Sequence, residues 1–130
     1  MLRKLLLATN NKAKVREYRS LLRALPFELV TLSEQGINTV VSEAWESLEE
    51  NAELKAVAFS AESQLTALAD DSGLEVDALG GEPGPVSARC AGEGASDEER
   101  VEYLLARLED VPWQKRSARF RCVIAIATPE

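Results

Sequence analysis

The segment Thr9-Asn10-Asn11-Lys12-Ala13-Lys14 brings hydroxyl, amide and ammonium groups close together in the chain. It follows the apolar run Leu5-Leu6-Leu7-Ala8, which predicts a buried strand, and it precedes a stretch with helical spacing. Free backbone N–H groups at the start of a helix favour an anion, and lysines add positive charge. The segment therefore supplies six candidate phosphate ligands: Thr9, Asn10, Asn11, Lys12, Ala13 and Lys14.

An ordinary Asn-capped helix with solvated lysines is the alternative interpretation of this segment, because asparagine is a frequent helix cap. The segment also lacks the glycines of a Walker A loop. Taken alone, its composition favours the ordinary cap.

Two adjacent carboxylates, Asp70 and Asp71, follow an apolar stretch and precede Ser72-Gly73. Acidic side chains at the end of a strand are costly unless they are solvated or bound to a cation. Carboxylate oxygens suit Mg²⁺, which also bridges to substrate phosphates, and a carboxylate can ligate or deprotonate an attacking water. A turn, in which Asp-Ser-Gly is favoured for local reasons, is the alternative.

A further acidic set precedes and opens a predicted helix, and it consists of Glu43, Glu46, Glu49, Glu50 and Glu53. Most of this set is expected to be a solvated helix face, because acidic residues stabilise a helix N-terminus. One member is a candidate metal ligand, and composition does not identify which. The glycine-rich loop at 80–92, with Arg89, either covers a ligand or turns a corner.

Hydrophobic periodicity predicts an α/β layered domain with the order β-α-β-loop-α-β-β-loop-α-β. The first helix is expected to end at Pro26, and a strand is expected from Phe27 to Thr31. Capping boxes at Ser47–Glu50 and Ser96–Glu99 predict the starts of two further helices.

Two features of the second half of the chain complete the predicted order of helices and strands. The segment Asp70–Gly73 is expected to interrupt the extended chain, which resumes at Leu74. The alternating run from Phe120 to Ile126 predicts a strand. Such an apolar strand needs a covering neighbour, which is either the continuation of the fold, a dimer or a partner.

The bulk composition limits the chemistry. The 130 residues fit a single domain, 1–130, and the net charge of −7 argues against a nucleic-acid polymer as partner. No apolar run is long enough to span a membrane. The chain has no histidine, which excludes a Ser-His-Asp triad and imidazole zinc sites, and Cys90 and Cys122 do not make a disulfide framework.

These motifs occur together and in order, and they resemble the inosine/xanthosine triphosphate pyrophosphatase family from Leu5 to about Ala127. Residues 9–14 resemble the opening T-x-N-x-x-K of that family. Residues 49–56 resemble its E-N-A-x-x-K-A helix, and residues 69–81 resemble its longest signature, which begins A-D-D-S-G-L. Pro83-Gly84 and Ser87-Ala88-Arg89 continue it.

The resemblance implies a mixed twisted sheet with flanking helices. It also implies Mg²⁺-dependent hydrolysis of ITP, dITP and XTP to the monophosphate and pyrophosphate, which cleanses the nucleotide pool of unusual purines. A cytoplasmic homodimer that binds no membrane is expected on the same basis.

The resemblance also assigns roles to residues. Asp71 matches the proton acceptor and a metal ligand, and Ser72 matches a substrate contact. Lys14 matches the phosphate-binding lysine, and Lys55 matches the catalytic-cleft lysine of the helix. Glu43 falls near the other metal-binding carboxylate. Lys14 and Asp71 are therefore expected to converge on one cleft with a magnesium-bound polyphosphate between them.

The sequence departs from the family pattern in two ways. The later Phe-Gly-Tyr-Asp and Ser-His-Arg motifs, which hold the base, are not in the chain, and Val86 stands where an aromatic residue is usual. Family members are also longer, so the domain is expected to be incomplete at its C-terminal side. Three hypotheses stay open: a pyrophosphatase for ITP and XTP, an inactive nucleotide-binding or interaction module, and a pyrophosphatase for other modified nucleotides.

Overall fold

The computed structural model describes residues 2–42 and 47–130. It contains four strands and three α-helices in the order β1 (Arg3–Leu7), α1 (Lys12–Leu21), β2 (Phe27–Thr31), α2 (Leu48–Ser63), β3 (Thr66–Val76), α3 (Asp97–Arg107) and β4 (Ala118–Ala127). Short 3₁₀ helices lie at Asp77–Leu79, Gly84–Arg89 and Trp113–Lys115. None of the described helices is long and apolar enough to cross a membrane.

The described residues divide into two compact units. The first contains residues 2–42, 49–71 and 123–130, and the second contains residues 47–48 and 72–122. Both β3 and β4 therefore contribute one part to each unit.

The strands form one mixed sheet with the order β2-β1-β3-β4. β1 pairs in parallel with β2, from Arg3 opposite Phe27 to Leu7 opposite Thr31. It also pairs in parallel with β3, with Leu5 opposite Thr66 and Leu7 opposite Leu68. Because β1 and β2 run the same way in matched register, the chain leaves both at the same edge of the sheet.

A hydrophobic core in the first unit holds this sheet against α2. It is built of Leu6, Ala8, Val30, Leu32, Ile37, Ala56, Phe59, Ala67 and Ala69, all buried. The partly buried Ala125 and Ala127 of β4 pack on it. The alternation of side chains along a strand thus assigns the odd-numbered residues of β3 to the α2 face.

The outer face of β4 is apolar and exposed. Phe120 is 81% exposed, Ile124 53% and Ile126 64%. The predicted strand is therefore confirmed, and its small alanines rather than its large side chains face the core of the first unit.

Two local interactions organise the second unit. The Ser87 hydroxyl accepts a hydrogen bond from the Leu74 backbone N–H at 2.8 Å and donates to the Gly84 carbonyl oxygen at 2.6 Å. The backbone of Gly73 lies so close to Gly84 that a side chain would not fit between them. The predicted capping box of α3 is present, since Ser96 and Glu99 exchange hydrogen bonds.

A charge cluster joins the ends of β3 and β4 within the second unit. Arg119 Nε lies 3.1 Å from Glu75 Oε1, and Arg121 Nε lies 3.0 Å from Glu75 Oε2. The hydrogen bonds from Arg119 and Arg121 hold the pKa of Glu75 below its usual value. Ser117 Oγ donates to Asp77 Oδ2 at 2.8 Å beside this cluster.

Two predictions about the elements are wrong. The segment Asp70–Gly73 does not interrupt the extended chain, because β3 runs without a break from Thr66 to Val76. The first helix ends at Leu21 rather than at Pro26, and the Leu22 N–H caps it by bonding to Tyr18 O. The strand from Phe27 to Thr31 is confirmed.

Replacement of Gly73 by alanine is expected to destabilise the protein by about 2–3 kcal/mol, because overpacking a close approach forces the backbone to move. The new Cβ would overlap the Gly84 carbonyl oxygen and lie 3.1 Å from Ser87 Oγ. Urea unfolding followed by circular dichroism measures the loss. Gly80→Ala is the matched control, since Gly80 has φ +66° but open space around it, and about 1 kcal/mol of strain is expected there. Equal losses in the two variants would contradict the steric explanation.

The Glu75 cluster is expected to stabilise the fold above pH 4.5 and to lose that contribution on acidification. The folded-state pKa of Glu75 lies below the ordinary value of 4.5, so protonation in the folded state occurs only at lower pH and breaks both arginine contacts. The difference in unfolding free energy between the wild type and Glu75→Gln should therefore shrink as the pH falls below 4.5. A difference that stays constant from pH 7 to about pH 3 would show that the arginines do not act on the charge of Glu75.

Candidate functional site

The start of α1 is a polar N-terminus capped by Asn11. The Asn11 Oδ1 atom accepts hydrogen bonds from the backbone N–H groups of Ala13, at 2.9 Å, and Lys14, at 3.2 Å. Thr9 Oγ1 in turn accepts from the Asn11 backbone N–H at 3.1 Å. The first turn of α1 contains no acidic residue. Asparagine thus performs the capping role, and lysines rather than carboxylates surround the positive end of the helix dipole.

A cavity of about 310 Å³ opens beside this N-terminus, and all of its lining residues lie in the first unit. They are Ala8, Thr9, Asn10, Asn11, Lys14, Leu32, Val40, Val41, Lys55 and Phe59. Ala8 directly follows β1 and Leu32 directly follows β2, so the cavity lies at the carboxyl edge of the parallel strands. This is the edge at which open α/β sheets bind ligands.

A tight turn after β2 positions the Leu32 side of the cavity. The Glu34 Oε1 atom accepts hydrogen bonds from the Thr31 backbone N–H and from Arg19 Nη2, both at 3.0 Å. The Thr31 backbone hydrogen bond, assisted by Arg19, keeps the pKa of Glu34 below its usual value. Ionised Glu34 therefore holds the turn closed at neutral pH.

Lys14 forms an ion pair across the face of β3. Its Nζ lies 2.9 Å from Asp70 Oδ2, with 28% of the lysine side chain and 3% of the aspartate side chain exposed. An ammonium group has three N–H donors, and this contact uses one of them. Lys14 is thereby fixed at the wall of the cavity.

Asp71 is held from the other face of β3. Asn51 Nδ2 donates a hydrogen bond to Asp71 Oδ2 at 2.9 Å, and both residues are buried, at 0% and 5% exposure. Four residues further along α2, Lys55 lines the cavity. Residues four apart are neighbours on one helix face. Asn51, which binds Asp71, and Lys55, which lines the cavity, are therefore about one helical turn apart.

The structure brings together most of the predicted ligands but arranges them differently from the expectation. Thr9, Asn10, Asn11, Lys14 and Lys55 line one cavity. Lys12 and Ala13 are exposed in the first turn of α1 and are not among the lining residues.

Lys14 and Asp71 were expected to converge on one cleft; Lys14 lines the cavity and contacts Asp70, and Asp71 is not among the lining residues. Successive side chains of a continuous strand point to opposite faces, so the two carboxylates are held from opposite sides of β3. Ser72 is exposed and belongs to the second unit. Glu43 lies outside the described residues.

The sequence did not predict the hydrogen bond of Asn51 to Asp71 or the ion pair of Asp70 with Lys14. In the sequence, Asn51 is noticeable only as part of the E-N-A motif. An amide on an otherwise apolar side of a helix nevertheless indicates a buried hydrogen-bond partner. Asp70 was treated together with Asp71, although the alternation of a strand would have separated them.

The donor set is compatible with a divalent metal that relies on water and phosphate for most of its ligands. Among residues 2–42 and 47–130, no group of three side chains with carboxylate, thiol or imidazole donors is close enough to hold a metal ion by itself. Mg²⁺ is usually bound by only one or two carboxylates, together with waters and substrate phosphates. Asp71 fits such a partial site.

The fold defines an α/β protein with a parallel β–α–β arrangement. Its cavity lies beside lysines, at the carboxyl edge of the strands and the start of a helix, which is a location typical of anion sites in this class. A comparison with protein families narrows this class. The chain belongs to the Ham1 family, whose model matches residues 5–130.

Similar proteins carry consistent names. The chain is 52% identical to a dITP/XTP pyrophosphatase of Symbiobacterium thermophilum, over 98% of this chain and 62% of that protein. It is 48% identical to a dITP/XTP pyrophosphatase of Geobacter sulfurreducens, over 97% of this chain and 63% of that protein. A HAM1 protein structure from Coxiella burnetii superimposes with a TM-score of 0.87 and 39% identity, over 97% of this chain and 63% of that one. The chain thus spans less than two thirds of the length of these relatives.

Replacement of Lys14 by methionine is expected to destabilise the protein by about 3 kcal/mol, because the buried Asp70 loses its ion-pair partner. Urea unfolding measures the loss. Lys12→Met is the control, since Lys12 is exposed in the same helical turn and a change within about 0.5 kcal/mol is expected there. Adding Asp70→Asn to Lys14→Met should recover part of the stability. Similar stabilities of the two lysine variants would show that the ion pair does not hold β3 and α1 together.

Proposed function

We propose that residues 1–130 form one domain of a Mg²⁺-dependent pyrophosphatase for unusual purine nucleoside triphosphates. The substrates are ITP, dITP and XTP, and the products are the monophosphate and pyrophosphate. The observation that carries this proposal is the cavity beside the start of α1, which the helix cap Asn11 and the two lysines Lys14 and Lys55 line together. The names of the relatives, dITP/XTP pyrophosphatases, support the choice of substrate.

The electrostatics of α1 support a polyphosphate ligand. Two lysines, Lys12 and Lys14, lie in its first turns. A cation at the positive end of a helix dipole is unfavourable by about 0.3–1 kcal/mol, whereas an anion bound there is attracted both by the dipole and by the lysines. The cavity volume of about 310 Å³ is at the lower end of small-molecule sites, which suits the triphosphate moiety rather than a whole nucleotide.

The proposed roles are those that the resemblance to the family assigns, and the chemistry of each side chain supports them. The backbone and side chains of the Thr9–Lys14 segment, namely Thr9, Asn10, Asn11, Lys12, Ala13 and Lys14, bind phosphate oxygens, and Ser72 contacts the substrate. Lys14 and Lys55 offset the charge that develops on the leaving pyrophosphate. Asp71 accepts the proton of the water whose oxygen forms the new bond to phosphorus, while the anhydride bond between the α and β phosphates breaks.

Asp71 and Glu43 are the proposed metal ligands. A divalent metal bound there withdraws charge from phosphate oxygens when substrate is present. Asp71 contributes a carboxylate that Asn51 already holds in one place. Hard oxygen donors and a phosphate substrate support Mg²⁺ as the metal.

The remaining proposals concern the setting of the enzyme. We propose a cytoplasmic homodimer that acts on free nucleotides. The net charge of −7 disfavours binding to a nucleic-acid polymer, because such binding depends on a basic surface.

Pyrophosphate release from a panel of nucleoside triphosphates tests the proposed function. The expected result is Mg²⁺-dependent release from ITP, dITP and XTP in preference to ATP and GTP, abolished by a chelator. Asp71→Asn should lower kcat by at least about 100-fold, because it removes the proton acceptor. Glu62→Gln is the matched control, since Glu62 is an exposed carboxylate of α2 that bonds to Thr39, and its activity should stay at the wild-type level.

The other outcomes of this experiment are distinct. Triphosphate binding without turnover, lost in Lys14→Met with Asp71→Asn, would favour the inactive nucleotide-binding module. Preferred turnover of a modified pyrimidine nucleotide would favour the third hypothesis. A folded sample with neither turnover nor triphosphate binding would refute the proposed function for this chain.

A further inference from the structure

We propose that Asn51 is a positioning residue, whose carboxamide sets the orientation of the Asp71 carboxylate. The proposal concerns the arrangement of these two side chains, and its consequence for catalysis rests on the function proposed above.

The place of Asn51 in α2 is unusual for its residue type. The buried side of α2 in the first unit consists of Asn51, Ala52, Ala56, Phe59 and Ser60, each at most 3% exposed. Asparagine is a poor residue for a helix interior, and burying an amide without a partner costs about 1–3 kcal/mol. An amide at this place is therefore costly unless a specific partner requires it.

The partner of Asn51 is a buried carboxylate. The 2.9 Å distance from Asn51 Nδ2 to Asp71 Oδ2 is that of a good hydrogen bond. A carboxylate accepts hydrogen bonds and an amide nitrogen donates them, so the amide must present its NH₂ group to Asp71. The donor is neutral, so this bond orients the carboxylate without adding a positive charge beside it. Lys14, in contrast, brings a formal charge to Asp70.

A hydrogen-bond donor restricts the orientation of the Asp71 carboxylate. The terminal torsion of an aspartate is broad, because rotation about the bond to the carboxylate carbon has no deep staggered minima. A hydrogen bond to one oxygen fixes the carboxylate plane and therefore the direction in which the other oxygen points. Asn51 itself is fixed, since its side chain is fully buried.

The hydrogen bond also links the carboxylate to the cavity wall. Asn51 and Lys55 lie four residues apart on α2, and Lys55 lines the cavity. A shift of α2 along its axis would move both the donor of Asp71 and the lysine. The neutral amide of Asn51 and the cationic side chain of Lys55 are thus held at a constant spacing of about 6 Å along the helix.

A double-mutant cycle tests the orientation. Asn51→Leu and Asp71→Leu should each lower the urea midpoint of unfolding, because each leaves a buried polar group facing a methyl group. The double variant should be more stable than the sum of the single losses predicts, because two apolar side chains of similar size can pack together. Asn51→Ala with Asp71→Ala serves as a second cycle if a leucine variant does not fold. Additive midpoint shifts would overturn the proposal.

The affinity for a divalent metal tests whether the orientation of Asp71 by Asn51 matters for metal binding. Mn²⁺ binding in the presence of a non-hydrolysable ITP analogue is measured by electron paramagnetic resonance. Asn51→Ala should weaken Mn²⁺ binding by at least about 10-fold, as expected when a residue that orients a metal ligand is removed. Asn51→Ala should have no further effect in the Asp71→Asn background.

Ser60→Ala is the matched control for a merely structural effect. Ser60 is the other fully buried polar residue on this side of α2, and its hydroxyl donates to the Leu65 carbonyl oxygen at 2.7 Å. Its variant should lose stability but keep Mn²⁺ binding within about 2-fold, since it does not orient a metal ligand. Equal weakening in Ser60→Ala and Asn51→Ala would overturn the positioning role. A wild-type protein that binds neither Mn²⁺ nor the analogue would refute the proposed function, and the unfolding cycle would then decide the orientation of Asp71 by itself.

Discussion

The burial of two adjacent carboxylates within one strand is the constraint on which the arrangement of the first unit depends. Asp70 and Asp71 are 2% and 5% exposed, and a buried carboxylate is costly unless hydrogen-bonded or paired. Their partners come from different helices, Lys14 of α1 and Asn51 of α2. β3 thus ties both helices to the sheet by polar contacts, while the apolar cluster around Leu6 and Phe59 supplies the general attraction.

This constraint explains why polar groups collect at one edge of the sheet. The parallel strands β1 and β2 deliver Ala8, Thr9 and Leu32 to their common carboxyl edge. Lys14 is directed there by its ion pair, and Lys55 is carried there by the same helix that holds Asp71. The two helices that contact the buried carboxylates of β3 therefore also contribute the two lysines that line the cavity.

Much of the local structure could be predicted from patterns that act over a few residues. The strand from Phe27 to Thr31 and the capping box of Ser96 depend on alternation and on spacing of three residues, and both are confirmed. The predicted interruption at Asp70–Gly73 is wrong, because the turn preference of these residues is a local property that does not include the surrounding sheet. In the sheet, backbone hydrogen bonds and buried partners outweigh the local preference of Asp, Ser and Gly for a turn. The roles of Asp71, Lys55 and Ser72 in the reaction stay predictions.

The sequence by itself determined which chemical groups are available and roughly where each helix and strand lies. Because residues 1–130 include no histidine, the chemical groups that they offer to a site are amides, hydroxyls, thiols, carboxylates, and the cationic groups of lysine and arginine. Only the tertiary structure decided how these groups are paired. Lys14 meets Asp70 and Asn51 meets Asp71, because alternation in a continuous strand sends neighbouring side chains to opposite faces. Contacts between residues 20 and 56 positions apart depend on how the whole sheet and its helices pack, which no local pattern specifies.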